Sequence, residues 1–115
     1  MMKRGEIWIV DKRSETVDSG DSYAVDLRGR PVVIISNDIG NEHSPTIEVV
    51  PLTTRSHHFH LPTHIRIMSS YRISYAMCEN ITTIDKSSLF ERIGKLTSDE
   101  ISRLNAALLV SIGIT

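Results

Sequence analysis

Apolar residues arrive along this chain in short runs, separated by stretches rich in turn formers, a pattern of many strands rather than long helices. Residues 6–10 (Glu-Ile-Trp-Ile-Val) predict a first strand. Residues 11–30 carry Ser, Gly and the acidic side chains Asp11, Glu15, Asp18, Asp21 and Asp26, and read as a long loop or irregular hairpin. Residues 31–35 (Pro-Val-Val-Ile-Ile) are β-branched without interruption after the proline, as expected of a central strand covered on both faces. A proline is tolerated at the start of such a strand. Turn formers at 36–41 break the run and suit a short helix. Residues 46–53 are again β-branched, 64–67 alternate with period two, and 74–84 and 90–96 complete a set of six strands.

The one extended helix is predicted at the C-terminus. Thr97-Ser98-Asp99-Glu100 has the spacing of a capping box, and its acidic residues suit the positive end of the helix dipole. Ile101, Leu104, Leu108 and Ile112 recur at helical spacing, and Gly113 marks the stop. No repeat or linker divides residues 1–115, so a single domain is expected. The fold class is mainly β (α+β), a small barrel with a C-terminal α-helix.

Composition narrows this little. The chain is 40% hydrophobic but only 5% aromatic, so aliphatic side chains must fill its core. No apolar run approaches the roughly 20 residues that span a bilayer, and Met1–Glu6 turns acidic before any long apolar stretch, unlike a secretory signal. The lone Cys78 cannot form an internal disulfide and fits a reducing cytoplasm. Without export, the Asn80-Ile81-Thr82 sequon is idle. A net charge of −1 argues against gripping nucleic acid by bulk electrostatics, but leaves room for a few cations concentrated in one cleft.

Five motifs in order then carry a family resemblance over nearly the whole chain. They are Lys3-Arg4-Gly5-Glu6-Ile7-Trp8; Gly29-Arg30-Pro31-Val32-Val33-Ile34-Ile35-Ser36-Asn37-Asp38; Pro51-Leu52-Thr53-Thr54; Leu61-Pro62-Thr63-His64; and the block from Glu79 to Leu89 containing Thr83-Ile84-Asp85-Lys86. Together the chain resembles the MazF/PemK toxin endoribonucleases, and their MazF branch more than the Kid/PemK branch. The resemblance implies an SH3-like, CcdB-like barrel forming a homodimer in the cytoplasm. It also implies sequence-specific, metal-independent cleavage of single-stranded RNA through a 2′,3′-cyclic phosphate, no cofactor, and inhibition by a cognate antitoxin.

Such cleavage uses the RNA's own 2′-hydroxyl as nucleophile, and needs positive charge on the phosphorane and proton donors and acceptors. Arg30 can present a planar fork to two phosphate oxygens, fixed in direction by the rigid Pro31 that follows. Thr53, ending another strand, offers a hydroxyl. By resemblance these two are the catalytic pair, though read alone each is an ordinary surface cation or strand residue. Neither is an ordinary general base. Thr54, Asn37 and Glu79 are further candidates for catalysis or RNA binding. Glu79 can accept a proton, contact a base, or simply pair with a neighbouring cation. Met77 stands where the Kid branch has Arg, so that branch's acid–base pair is incomplete. Thr82 stands where many relatives carry Arg, a loss that Arg55, Arg28 or Arg72 could compensate.

Arg28, Arg55, His57, His58 and His64 are candidate RNA contacts. The histidines of 57–64 lack a nearby cysteine or carboxylate, so no metal site is expected there; partial positive charge or plain solvation explains them. The acidic 11–26 loop either repels RNA until displaced or is merely solvated. Two other function classes share the architecture: a gyrase-poisoning toxin of the CcdB kind, acting through its C-terminal helix tip, and a silent binding barrel. Neither requires an Arg30–Thr53 pair.

Overall fold

The computed structural model describes residues 2–14, 26–55, 61–70 and 72–115. Seven strands alternate with short connections: β1 (Glu6–Val10), β2 (Pro31–Ile34), β3 (Thr46–Thr53), β4 (His64–Ile67), β5 (Ser74–Met77), β6 (Thr82–Asp85) and β7 (Leu89–Lys95). A short helix α1 (Asp38–His43) joins β2 to β3, and α2 (Ser98–Ser111) ends the chain. The strand predicted over 74–84 is divided by a turn at Cys78-Glu79, which gives seven strands instead of six.

All pairings are antiparallel, in the order β4-β5-β3-β2-β1-β7, with β6 on the free side of the first half of β3. The mainly-β architecture with a C-terminal helix is as the hydrophobic pattern requires. The expected barrel, however, is not closed by hydrogen bonds: β4 and β7 end the sheet and do not pair with each other. The sheet does curl, because a Cβ at Gly94 of β7 would lie 3.1 Å from the Ser69 carbonyl beyond β4. Helix α2 packs on β4 beside this seam.

Burial on both faces pins β2 and β3. Val33, Val50 and Leu52 pack with Ile7, Ile65, Ile67 and Leu96 beneath Leu104 and Ala107 of α2. Val32, Ile34, Ile47 and Val49 point the other way, onto Val10, Leu27, Ile84 and Leu89. Each cluster removes several aliphatic side chains from water, at roughly 1.5–3 kcal/mol per residue.

The helix forms as its caps dictate. The Thr97 hydroxyl accepts from the Glu100 amide at 3.2 Å, and the Glu100 carboxylate accepts from the Thr97 amide at 2.9 Å. Its buried side differs from the predicted stripe. Glu100, Leu104 and Ala107 are covered, Ile101 and Leu108 flank them, and Ile112 is 58% exposed because the helix there has run past the sheet. Gly113, at φ +81°, closes the helix, with its amide on the Val110 carbonyl and that of Ile114 on Leu109.

Candidate active site

The β2–β3 ladder pairs Val32 with Pro51, Val33 with Val50 and Ile34 with Val49. The ladder ends there, and Arg30 immediately precedes β2 while Thr53 is the last residue of β3, so both sit at this end of the strand pair. Thr53 in turn pairs with Tyr75, and Tyr75 with Arg66. Residues opposite one another project from the same face, so Thr53, Tyr75 and Arg66 form one row across the sheet. A tight turn brings Arg30 to the start of β2. The Arg30 amide bonds the Leu27 carbonyl, and Gly29 sits at φ +75°, where an L side chain would be strained. The Arg30 carbonyl then accepts from the Val10 amide at 3.0 Å, tying the turn to β1.

A cavity of about 230 Å³ opens there, lined by Arg30, Pro31, Leu52, Thr53, Thr54, Arg55, Arg72 and Ser74. Three guanidinium groups and no carboxylate line it, so its chemistry is that of an anion site. The Thr53 hydroxyl accepts a hydrogen bond from the Arg55 amide at 3.2 Å. That contact occupies a lone pair and leaves the O–H proton to donate to a bound oxygen. Arg72 comes from the β4–β5 connection. There the Ser70 hydroxyl donates to the Arg72 carbonyl and lies 3.1 Å from the Ser74 hydroxyl, so the loop is held from within.

Arg30, Thr53, Thr54 and Arg55 are thus brought together. Other candidates are placed elsewhere. Glu79 Oε2 lies 2.6 Å from His64 Nε2, whose side chain is 7% exposed, so these two form a pair with each other. His64 stands opposite Met77, two residues along β5 from Tyr75, which puts the pair about 11 Å from Thr53. Arg28 grips the Asp26 carboxylate through Nε at 3.0 Å and Nη2 at 2.9 Å, and these hydrogen bonds hold the Asp26 carboxyl down to about 2. Asn37 caps α1, its Oδ1 accepting from the Gly40 amide at 2.7 Å, at the far end of β3. His57 and His58 lie outside the described residues, as do Glu15, Asp18 and Asp21 of the acidic loop. Ser74 and Tyr75 escape sequence reasoning because hydroxyls in a strand carry no motif; Arg66 had a signal, being an outward position of an alternating strand.

The model of the family described as PemK-like, MazF-like toxin of type II toxin–antitoxin system matches residues 3–112. The chain belongs to this family. It is 35% identical over 118 residues to the endoribonuclease MazF of Staphylococcus saprophyticus, covering 99% of this chain and 93% of the relative. Among solved structures it is similar to an endoribonuclease from Mycobacterial species in complex with its cognate antitoxin. The TM-score there is 0.79 at 25% identity, over 100% of this chain and 98% of the other. The MazF of Deinococcus radiodurans shares the fold, with a TM-score of 0.78 at 14% identity over 97% and 96% of the two chains. Membership of the family extends over both sides of the cavity, since Arg30 and Thr53 both fall within the matched span. No helix among the described residues is long and apolar enough to cross a membrane.

Proposed function

We propose that this toxin is a sequence-specific endoribonuclease of the cytoplasm that cuts single-stranded RNA without a metal. It would act as a homodimer, held silent by a cognate antitoxin. One observation carries the assignment: Arg30 and Thr53 line one open cavity together with two further arginines. The ribose 2′-oxygen attacks the adjacent phosphorus while the P–O5′ bond breaks, giving a 2′,3′-cyclic phosphate and a 5′-hydroxyl. The 2′ proton is lost and the departing 5′-oxygen gains one.

Charge on the non-bridging oxygens grows toward the pentacoordinate state. Arg30 binds them as a fork, and the Thr53 O–H, oriented by the Arg55 amide, donates a third hydrogen bond. Arg55 and Arg72 neutralise the flanking backbone. What Arg30, Thr53, Arg55 and Arg72 contribute is positioning and stabilisation of the phosphorane.

The test is incubation of the purified protein with a long single-stranded RNA in excess chelator, beside the Arg30→Ala variant. Cleavage by the wild type to fragments with cyclic phosphate ends, lost in the variant, is the expected result. Intact RNA would favour a gyrase poison or a silent barrel. Sedimentation of the free protein reads the dimer.

A further inference from the structure

The row Thr53, Tyr75, Arg66 runs outward from the Arg30 cavity, and only its first member lines that cavity. Strand alternation decides what the row offers. β5 buries Ser74 and Ala76 and leaves Tyr75 and Met77 half-buried, while β4 buries Ile65 and Ile67 and leaves Arg66 exposed. Ile65, Ile67 and Ala76 belong to the cluster beneath α2. Tyr75, Met77 and Arg66 therefore stand on the opposite face, together with Thr53.

That face presents one ring and one cation beside the Thr53 hydroxyl. Of the aromatic side chains among the described residues, Trp8 on β1 and Phe90 on β7 lie across β2 from Thr53, whereas Tyr75 pairs with it directly. Arg66 enters no ion pair among the described residues. Its backbone is fixed, because Arg103 Nη1 donates to the Arg66 carbonyl at 3.0 Å. Glu79, the carboxylate next along this face, is engaged by His64 at 2.6 Å. Strands about 4.8 Å apart put Tyr75 one strand and Arg66 two strands, about 10 Å, from Thr53.

We propose that Tyr75 stacks on the base of a nucleotide flanking the scissile phosphate, and that Arg66 holds the phosphate beyond that base. The order hydroxyl, ring, guanidinium matches the order phosphate, base, next phosphate along a single strand. Base stacking on an aromatic ring beside cations is how unpaired strands are gripped. A paired strand could not use the ring, because its bases are already stacked. The inference rests on cleavage taking place at the Arg30–Thr53 cavity, and it adds a substrate-binding face to that reading.

The kinetic test uses a short RNA spanning a cleavage site mapped with the wild type, intact or with a single abasic ribose on either side of the scissile phosphate. Tyr75→Leu, which keeps an apolar side chain, should raise KM about tenfold with kcat within about twofold, and Tyr75→Phe should match the wild type. An abasic ribose on the stacked side should raise KM equally in the wild type and add nothing further in Tyr75→Leu. A merely structural role for the ring produces no such coupling. Arg66→Gln should lower the salt slope of binding by about one. Three outcomes would overturn the stacking face: an unchanged KM in Tyr75→Leu, a Phe variant as weak as the Leu variant, or abasic and Leu effects that simply multiply. If the wild type cuts no RNA, the cleavage reading fails on its own. Binding of a 2′-O-methyl oligoadenylate, read by fluorescence anisotropy, then decides the face separately: about tenfold weaker binding by Tyr75→Leu supports it, and equal affinities overturn it.

Discussion

Replacing Glu100 by alanine removes four hydrogen bonds and separates two parts of the molecule. Its Oε2 accepts from the Met68 amide at 2.7 Å and the Ser69 amide at 3.3 Å, and its Oε1 from the Ser69 hydroxyl at 2.5 Å and the Thr97 amide at 2.9 Å. One carboxylate thus caps α2 and clamps the start of the β4–β5 connection, the segment that carries Arg72 to the Arg30–Thr53 cavity. Burial alone would raise its pKa, since only 3% of the residue is exposed. The hydrogen bonds outweigh that desolvation and hold the carboxyl below the usual range. Loss of the capping box costs about 1 kcal/mol. The donors at 68–69 add about 1 kcal/mol each, at the low end because Met68 is exposed and water can replace part of the bond. The sum is about 4 kcal/mol, or a midpoint lowered by about 16 °C for a domain of this size.

Glu100→Gln keeps the shape and one acceptor, and should cost about half as much. The carboxylate also gives the effect a pH signature. Unfolded chains bind this proton more tightly than folded ones, so the stability from ionised Glu100 is complete above the ordinary carboxylate range. It fades as pH falls through the lower folded value. Thermal and urea unfolding of wild type, Ala and Gln variants from neutral to acid pH measure this. The gap between wild type and Gln should close in acid. An Ala variant within about 1 kcal/mol of wild type, or a Gln gap independent of pH, would refute the clamp. RNA cleavage by the Ala variant should fall less than in Arg30→Ala, because Arg72 is displaced but present.

Arg30→Ala should lower cleavage by about a hundredfold to a thousandfold with the circular dichroism spectrum unchanged, and Arg30→Lys should recover little, because a single ammonium cannot fork two oxygens. Thr53→Ser should retain most activity and Thr53→Val lose it, since only the first keeps the hydroxyl; equal rates would remove Thr53 from the mechanism. Gly5→Ala should destabilise by about 1–3 kcal/mol in urea, because Gly5 sits at φ +89° and a Cβ there would come within 2.7 Å of Ile101 Cδ1. The Cys78 thiol is pushed up to about 12, by burial first and then by the Glu79 charge. It should therefore resist iodoacetamide at mildly alkaline pH until the protein is unfolded, and equal native and unfolded rates would contradict that placement.

Much of this was legible where local chemistry decides. The capping box at Thr97, the uninterrupted β-branched run of β2 and the alternation of 64–67 each carry their own explanation, and each element formed. What depends on the assembled sheet was not legible. A turn at Cys78-Glu79 splits one predicted strand because β5 and β6 must reach opposite ends of β3, and its one turn former, Asn80, is flanked by residues that suit a strand. The pairing of His64 with Glu79 joins residues fifteen apart through the β4–β5 register, which spacing along the chain does not reveal. Whether the outer strands pair was equally out of reach: period-two patterns fix faces, not whether the last edges meet.

That distinction bears directly on the cavity of Arg30 and Thr53. Arg30 and Thr53 share no local pattern, and what unites them is the register of β2 on β3. Burial fixes that register from both sides. A slip of one residue would exchange Val33 with Val32 and Leu52 with Thr53 between the two faces, driving a hydroxyl into the cluster under α2 and turning leucine to the cavity. Each misplaced side chain would cost on the order of 2 kcal/mol, and the whole strand would be misplaced at once. The aliphatic residues that contact no substrate are therefore what hold a guanidinium and a hydroxyl on one face, next to one another, before any RNA arrives.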